Sequence, residues 1–439
     1  MFSRVLLNTI NKTVDYTEFV EYNLVISRFG GGTVIKRDLY MNKLRAYRNK
    51  PLIKVLTGLR RSGKSSLLML LREELLAEGI QPEKIVYVNF DDMDFFELRT
   101  VEALHAYLIK QMNDAEYCYI LIDEIQEARG WEQVVNSLLS KGKSDIYITG
   151  SNSQMLSSDL ATYIAGRYIE IPVSTLSFSE MLVFKKAYTA DQVSDKTSMI
   201  NAYIRKGGFP AVHTGDYTSE QGYQIVKDIY SSAVLRDVVQ RLNIRNVDLL
   251  ERVLLYVFDN IGNIFSTRNV AAYFLSQQRK IDQSTIFNYL NALADAFILN
   301  RIRRYDIQGK EILQTNEKYY LGDVSLAYAA FGFKDRLISG VLENIVLLEL
   351  QRRGYKVFVG KWGDKEIDFV AERQSQKLYV QVAYKITDAS ATIDREFAPL
   401  LSLKDQYPKY VVTMDEFWQD NIEGVKHVYL ADFLLMETW

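Results

Sequence analysis

The chain has 439 residues, too many for one comfortable hydrophobic core, and its 48% hydrophobic and 25% charged residues are those of an ordinary folded protein. A formal net charge of −2 excludes the basic excess of a protein that meets nucleic acid with its whole surface, so any such contact must come from a local patch. The single cysteine, Cys118, lies in an apolar run and reads as a buried strand residue in a reducing cytoplasm. The N-terminal apolar stretch is interrupted by Asn8, Asn11 and Lys12, unlike a signal peptide's core, and no run approaches the ~18 apolar residues of a membrane span. A cytoplasmic protein with no membrane partner is the expectation.

Residues 1–32 read as a polar, mildly helical arm ending in Gly30-Gly31-Gly32, whose freedom in φ suits a linker. The next segment, VIKRDLYMNKLRAYRN, predicts a helix with Leu39, Leu44 and Tyr47 on the face that docks against the first strand. Apolar runs then alternate with helical ones. KVLTG, KIVYVNF, YCYILIDE and DIYITGS are separated by SSLLMLLREELLAEG, VEALHAYLIKQM and WEQVVNSLLSKG, and YIEIP (Tyr168 to Pro172) supplies a fifth strand. This alternation predicts an α/β core over residues 33–173, a parallel sheet covered on both faces.

Between the first strand and its helix lies Gly58-Leu59-Arg60-Arg61-Ser62-Gly63-Lys64-Ser65, followed by Ser66. The run matches G-x-x-x-x-G-K-[ST], in which the glycines let successive backbone N–H groups turn toward one anion. Lys64 is placed to reach the β- and γ-phosphates of a nucleotide, and Ser65 to ligate Mg²⁺. The helix that opens at Ser65 adds its unpaired N–H groups and positive dipole end. The apolar strand Tyr119 to Ile122 ends in Asp123 and Glu124 at the same sheet edge. Asp123 is the candidate Mg²⁺ ligand and Glu124 the candidate general base for attack on a γ-phosphate. The fourth strand ends in Thr149-Gly150-Ser151-Asn152-Ser153, where Asn152 or Ser151 is a candidate to orient water or sense the γ-phosphate, against the competing reading of a plain turn. Arg167 and Arg236 are candidates for an arginine finger or for contacts within the chain.

GLRRSGKSSLL, ILIDEIQ, YITGSNS, AGRYIEIPVSTLSFSE and GGFP, in this order and with this C-terminal half, resemble bacterial and archaeal AAA-type ATPases that carry a nuclease-like C-terminal domain of unknown function. The resemblance covers nearly the whole chain. It implies an ASCE-class P-loop NTPase fold, ATP rather than GTP, and Mg²⁺. It also places Ile35-Lys36-Arg37-Asp38 near the adenine, making Arg37 a nucleotide contact. No N-K-x-D element stands where a GTPase would need one, which independently favours ATP.

Residues 174–246 are helical and aromatic, broken at Gly207-Gly208-Phe209-Pro210, and read as a helical lid over the nucleotide. Residues 247–334 run helix, short helix, helix and β-wing, an order that resembles a winged helix. Ser284 is the expected N-cap of its third helix, and Arg301, Arg303, Arg304 and Lys310 charge a wing able to meet DNA phosphates. The alternative is a winged helix used for packing, with Phe287, Tyr289 and Leu290 committed to the core. Residues 335–439 resemble the PD-(D/E)xK nuclease core, in which a helix Glu, a hairpin Asp and an E-x-K strand converge on Mg²⁺. Glu343 and Asp368 fall on the first two positions, but the third strand reads Gln381-Val382-Ala383. An amide is a poor ligand for a hard dication and alanine stabilises no charge, so the domain is expected to be inactive. Lys385 shares the parity of Ala383 and is the candidate replacement, and Glu366 reads as hairpin surface.

The function expected from these residues is that of an ATP-driven switch or motor. The alternatives are a DNA-binding or DNA-cleaving defence-type protein regulated by ATP, or a signalling scaffold of low turnover. Its expected partners are ATP, DNA through the winged helix, and either another protein or further copies of the chain.

Overall fold

The computed structural model of the protein describes residues 26–29, 32–112, 117–153, 166–188, 195–240, 242, 244–313, 316–332, 334–386, 390–416 and 421–439. Most of the expected N-terminal arm, with Gly30 and Gly31, lies outside these residues. Its described end is not helical: Ile26–Phe29 (β1) and Gly32–Ile35 (β2) pair antiparallel, Ile26 opposite Ile35 and Phe29 opposite Gly32. ISRF and TVI are rich in β-branched and aromatic residues, whose preference for extended chain favours a strand here. Helix α1 (Asp38–Tyr47) buries Tyr40, Met41 and Leu44, while Leu39 is exposed. At 3.6 residues per turn Leu39 and Leu44 stand about 140° apart, so the expected apolar face joined two different sides of the helix.

Strands β3 (Ile53–Thr57), β4 (Ile85–Asn89), β5 (Cys118–Asp123), β6 (Ser144–Gly150) and β7 (Tyr168–Pro172) form a five-stranded parallel sheet in the order β4-β5-β6-β3-β7. Helices α2 (Lys64–Ala77), α3 (Val101–Met112) and α4 (Trp131–Lys141) connect them. Alternate residues of each strand serve opposite faces. Val55, Ile120, Ile122 and Ile148 pack with α3 and α4, as does the buried Cys118, whereas Leu56, Leu121, Tyr147 and Ile171 pack with α1 and α2. Burial on both faces is why Tyr119 to Ile122 of β5 is a continuous apolar run, and the buried charged exceptions, Lys54 of β3 and Asp145 of β6, pair with each other. The chain leaves β3 for the far edge at β4 and returns through β5 to β6, so β6 sits between β3 and β5. The carboxyl ends of all three meet at the switch point where open α/β sheets bind ligands.

Helices α5 (Phe178–Tyr188), α6 (Lys196–Lys206), α7 (Pro210–His213) and α8 (Ser219–Ser232) follow, and α8 continues as a π-helical segment, Ala233–Gln240. The glycines between α6 and α7 have a steric cause. Gly207 has φ +65°, a Cβ on it would lie 2.0 Å from Asp323 Oδ1, and one on Gly208 would lie 2.3 Å from the Leu176 carbonyl oxygen. The Gly208 N–H donates to Asp323 Oδ2 at 2.8 Å.

Next come α9 (Val247–Asp259), β8 (Ile264–Phe265), α10 (Thr267–Ser276), α11 (Gln283–Asp295), β9 (Leu299–Ile302), β10 (Arg304–Asp306), β11 (Glu311–Ile312) and β12 (Glu317–Leu321). The N-cap of α11 is Asp282, two residues before the expected Ser284. Tyr289 and Leu290 are buried and Phe287 is exposed. Strands β8, β12 and β9 make a small sheet in that order. The expected wing takes another course, because β10 pairs parallel with β13 (Lys356–Trp362) and draws β11 after it.

Helices α12 (Ser325–Phe331) and α13 (Ile338–Arg352) lead into this second sheet, continued by β14 (Lys365–Arg373) and β15 (Gln376–Val382). Helix α14 (Ser390–Leu401), β16 (Lys409–Thr413), β17 (Asn421–Ile422), β18 (Val425–Tyr429) and α15 (Leu430–Leu435) complete the chain. The sheet has eight strands in the order β11-β10-β13-β14-β15-β16-β18-β17. One apolar cluster runs from Phe178 and Val226 through Leu254 and Leu290 to Val346 and Phe433, so the C-terminal two-thirds share a core. Among the described residues no helix is long and apolar enough to cross a membrane.

Candidate nucleotide-binding site

The loop after β3 is shaped by two glycines in backbone conformations that other residues avoid. Gly58 has φ +141°, and a Cβ there would sit 2.2 Å from the Val173 carbonyl oxygen. Gly63, at φ +101°, is the N-cap of α2. Between them Leu59 points into the core, Ser62 is fully buried, and Arg61 is exposed with φ +61°. Ser65 and Ser66 are exposed on the first turn of α2. Lys64 is only 3% exposed, and its Nζ donates to the carbonyls of Gly58 at 3.0 Å and Leu59 at 3.1 Å. Burial pulls its ammonium below the usual lysine range, against the opposing pull of Glu124, Asp123 and Asp237.

The acid pair lies across β6 from this loop. Asp123 is buried, which pushes its carboxyl above the usual range, while hydrogen bonds from the side chains of Thr149 and Ser65 act the other way. The expected partners Ser65 and Asp123 are therefore brought together. Glu124 is also buried, in a left-handed conformation at φ +53° that costs a residue with a side chain about 1–2 kcal/mol. Its N–H donates to Thr149 Oγ1 at 2.9 Å, and its Oε2 accepts from Gln126 Nε2. Asn152 is 1% exposed at the end of the neighbouring strand.

Thr149 is the residue that the sequence reading passed over. One hydroxyl accepts from the Glu124 backbone and donates to Asp123 Oδ1, so it fixes both acids relative to each other. The available signal was position: Thr149 is the polar residue that follows the apolar run Ile146-Tyr147-Ile148, at the carboxyl end of the strand that the topology inserts between loop and acids. Thr149→Val keeps the shape and removes the hydroxyl. Steady-state hydrolysis by this variant is expected to fall ~10–100-fold with little change in nucleotide affinity, and Thr149→Ser to recover most of it.

The π-helical segment Ala233–Gln240 meets the loop beside the acids. Arg60 lies 3.6 Å from Asp237 and 3.9 Å from Asp91, and Ser151 Oγ donates to Asp237 Oδ1 at 3.2 Å. Arg236 pairs with Asp91 at 3.1 Å and Glu127 at 3.4 Å, a contact within the chain. Ser153 Oγ donates to Asp295 on α11 at 3.0 Å, so the polar cluster after β6 ties two further units to the sheet edge.

Two candidates are placed elsewhere. The buried Arg37 guanidinium donates to the Ser62 carbonyl at 2.8 Å, to the Ser174 carbonyl at 2.9 Å and to both oxygens of Glu180 at 2.8 and 2.9 Å, and it stacks over Tyr40. It clamps the back of the loop. Arg167 stands at the opposite edge of the sheet, where its carbonyl accepts from Ile53 N–H at 2.8 Å and its Nη1 donates to Asn136 Oδ1 at 3.0 Å. That end of β3 is about 16 Å of strand from the loop, so Arg167 does not reach the site of its own chain.

Residues 50–182 match the family model described as AAA domain, and residues 197–337 match one described as domain of unknown function DUF8612. The parallel sheet, the loop and the matched model together make this a P-loop, AAA-type ATPase domain that binds nucleotide. The chain belongs to one family with an uncharacterized protein of Haemophilus influenzae, to which it is 38% identical over 403 residues, 92% of this chain and 99% of that protein. An uncharacterized protein of Methanocaldococcus jannaschii is 28% identical over 393 residues, 87% of this chain and 84% of its own. Among solved structures, AMPPCP-bound DnaA from Aquifex aeolicus is similar at 14% identity and a TM-score of 0.30, covering 58% of this chain and 85% of that one, too loose a likeness to add to the sheet order above.

Proposed function

We propose that the protein is a Mg²⁺-dependent ATP hydrolase that works as a nucleotide-driven switch or motor on its C-terminal modules. The observation that carries this reading is the placement of Asp123 and Glu124 at the carboxyl end of β5, tied to each other through Thr149 and one strand away from the Gly58–Ser65 loop. Lys64 exchanges the loop carbonyls for the β- and γ-phosphates, which suit a buried ammonium better than two neutral acceptors. The Ser65 hydroxyl and Asp123 carboxylate are hard oxygen donors of the kind Mg²⁺ takes, and the ion when bound neutralises charge on the β- and γ-phosphates. Glu124 accepts the proton of the attacking water, and Asn152 orients that water from the adjacent strand end. Arg60 and Ser151 connect the site to Asp237, giving the occupied loop a direct route to the lid.

The order helix, strand, helix, helix, strand, strand over residues 247–334 supports the winged-helix reading, and the path of β10 supports its use for packing rather than as a free wing on DNA. Arg167 acts on a nucleotide only if a neighbouring copy presents it, so the homo-oligomer is part of the proposal. The buried lone thiol supports a cytoplasmic location. The test is Mg²⁺-dependent phosphate release from ATP by the wild type and by Lys64→Ala, which should be inactive.

A further inference from the structure

The nuclease-like resemblance of the C-terminal domain implies a divalent metal between α13 and β14. Glu343, Asp368, Gln381 and Glu396 do line one cavity there, of about 530 Å³, and Ala383 and the exposed Lys385 are at its rim. With the chain's own partners in place, the donor set is not open to a dication. Gln381 is neutral and already engaged: its Oε1 accepts from the Asp368 N–H at 3.3 Å, and its Nε2 donates to Glu396 Oε2 at 3.3 Å. Asp368 Oδ2 accepts from the Val382 N–H at 2.8 Å, and Glu343 Oε2 accepts from the Tyr320 hydroxyl at 2.8 Å.

The remaining charge is met by a cation of the chain itself. Lys318, on β12 of the small sheet, is nearly fully buried, and its Nζ lies 2.7 Å from Glu366 Oε1, 3.5 Å from Glu343 Oε2 and 3.9 Å from Asp368 Oδ1. Glu366 is thus a member of this cluster, not the hairpin surface expected from sequence. Tyr320, the next residue on that strand face, donates its hydroxyl to Glu343 of the same cluster. An ammonium in this position and a dication on the same oxygens would repel each other across a few ångströms of poorly screened interior. Burial alone would pull the Lys318 ammonium down, but the three carboxylates outweigh it and hold it above the usual range.

We infer that Lys318 takes the place of the metal in the carboxylate pocket of the C-terminal domain, acting as an internal counter-ion that closes the pocket to divalent ions and pins the eight-stranded sheet to the small sheet. The inference takes only the expectation of a metal from the nuclease-like reading, and the ATP reading does not enter it. Lys318 removal should therefore create a cation site that the natural protein lacks. The experiment uses the full-length, nucleotide-free protein with Mn²⁺ as probe, read by electron paramagnetic resonance, in a Ser65→Ala background that disables the loop's own oxygen site. The protein bearing Lys318 is expected to take up no Mn²⁺. Adding Lys318→Met should open one site that Asp368→Asn closes again, and should lower the unfolding midpoint by about 3 °C or more, with Mn²⁺ restoring it. Mn²⁺ uptake by the Lys318-bearing protein that is lost with Asp368→Asn overturns the inference, and so does a folded Lys318→Met protein that gains no site. If Lys318→Met does not fold, the Lys318-bearing protein with and without Asp368→Asn decides alone.

Discussion

Glu124→Gln is expected to lower the turnover of ATP ~10²–10⁴-fold while leaving nucleotide binding intact. The substitution keeps the length of the side chain and an oxygen that can accept from Gln126, and it leaves the backbone bond to Thr149 untouched. What it removes is the carboxylate next to Asp123 that is proposed to take a proton from water. Single-turnover phosphate release together with a nucleotide titration separates the two effects, because a purely chemical defect lowers the rate and spares the affinity. Turnover equal to the wild type would assign Glu124 to the fold and favour a nucleotide-binding scaffold over a hydrolase.

Arg37→Ala is expected to cost about 3–5 kcal/mol of stability, the second large effect. The substitution would strip Glu180 of its partner and leave the carbonyls of Ser62 and Ser174 facing a void. Burial by itself would raise the Glu180 carboxyl, yet the Arg37 guanidinium holds it below the usual range, which shows how strongly the pair is coupled. Arg37→Lys should recover only part of the loss, since a single ammonium cannot serve the same fan of acceptors. Denaturant unfolding measures the change. A variant of unchanged stability that has lost ATP affinity would instead return Arg37 to the adenine contact implied by the resemblance.

The core of the site was legible because its signals are local. G-x-x-x-x-G-K-[ST] after an apolar strand, and two acids ending another, specify backbone and chemistry within eight residues, and the sheet order accordingly sets loop and acids at one edge with a single strand between them. The strands were legible for a related reason, the burial of the central ones on both faces, which leaves mostly apolar runs such as Val55-Leu56 and Tyr119 to Ile122 between helical segments. What escaped depends on contacts far apart in sequence. Arg37 reaches Glu180 across 143 positions, and Lys318 reaches Glu366 and Asp368 from a different sheet. A lysine in an alternating strand and a glutamate in a hairpin look like surface until the fold faces them. The wing illustrates the same limit: nothing in Arg304-Tyr305-Asp306 announces that these residues pair with a strand some fifty positions later. The helix face of α1 was misread for a simpler reason, a five-residue spacing taken as one side of a helix.

The most direct measurement of the central claim is phosphate release from ATP by the purified full-length protein, with and without Mg²⁺, beside the Lys64→Ala variant. The account predicts release that requires Mg²⁺ and disappears with Lys64. Release that persists unchanged in Lys64→Ala, or a wild type that neither binds nor hydrolyses ATP with Mg²⁺ present, would contradict it.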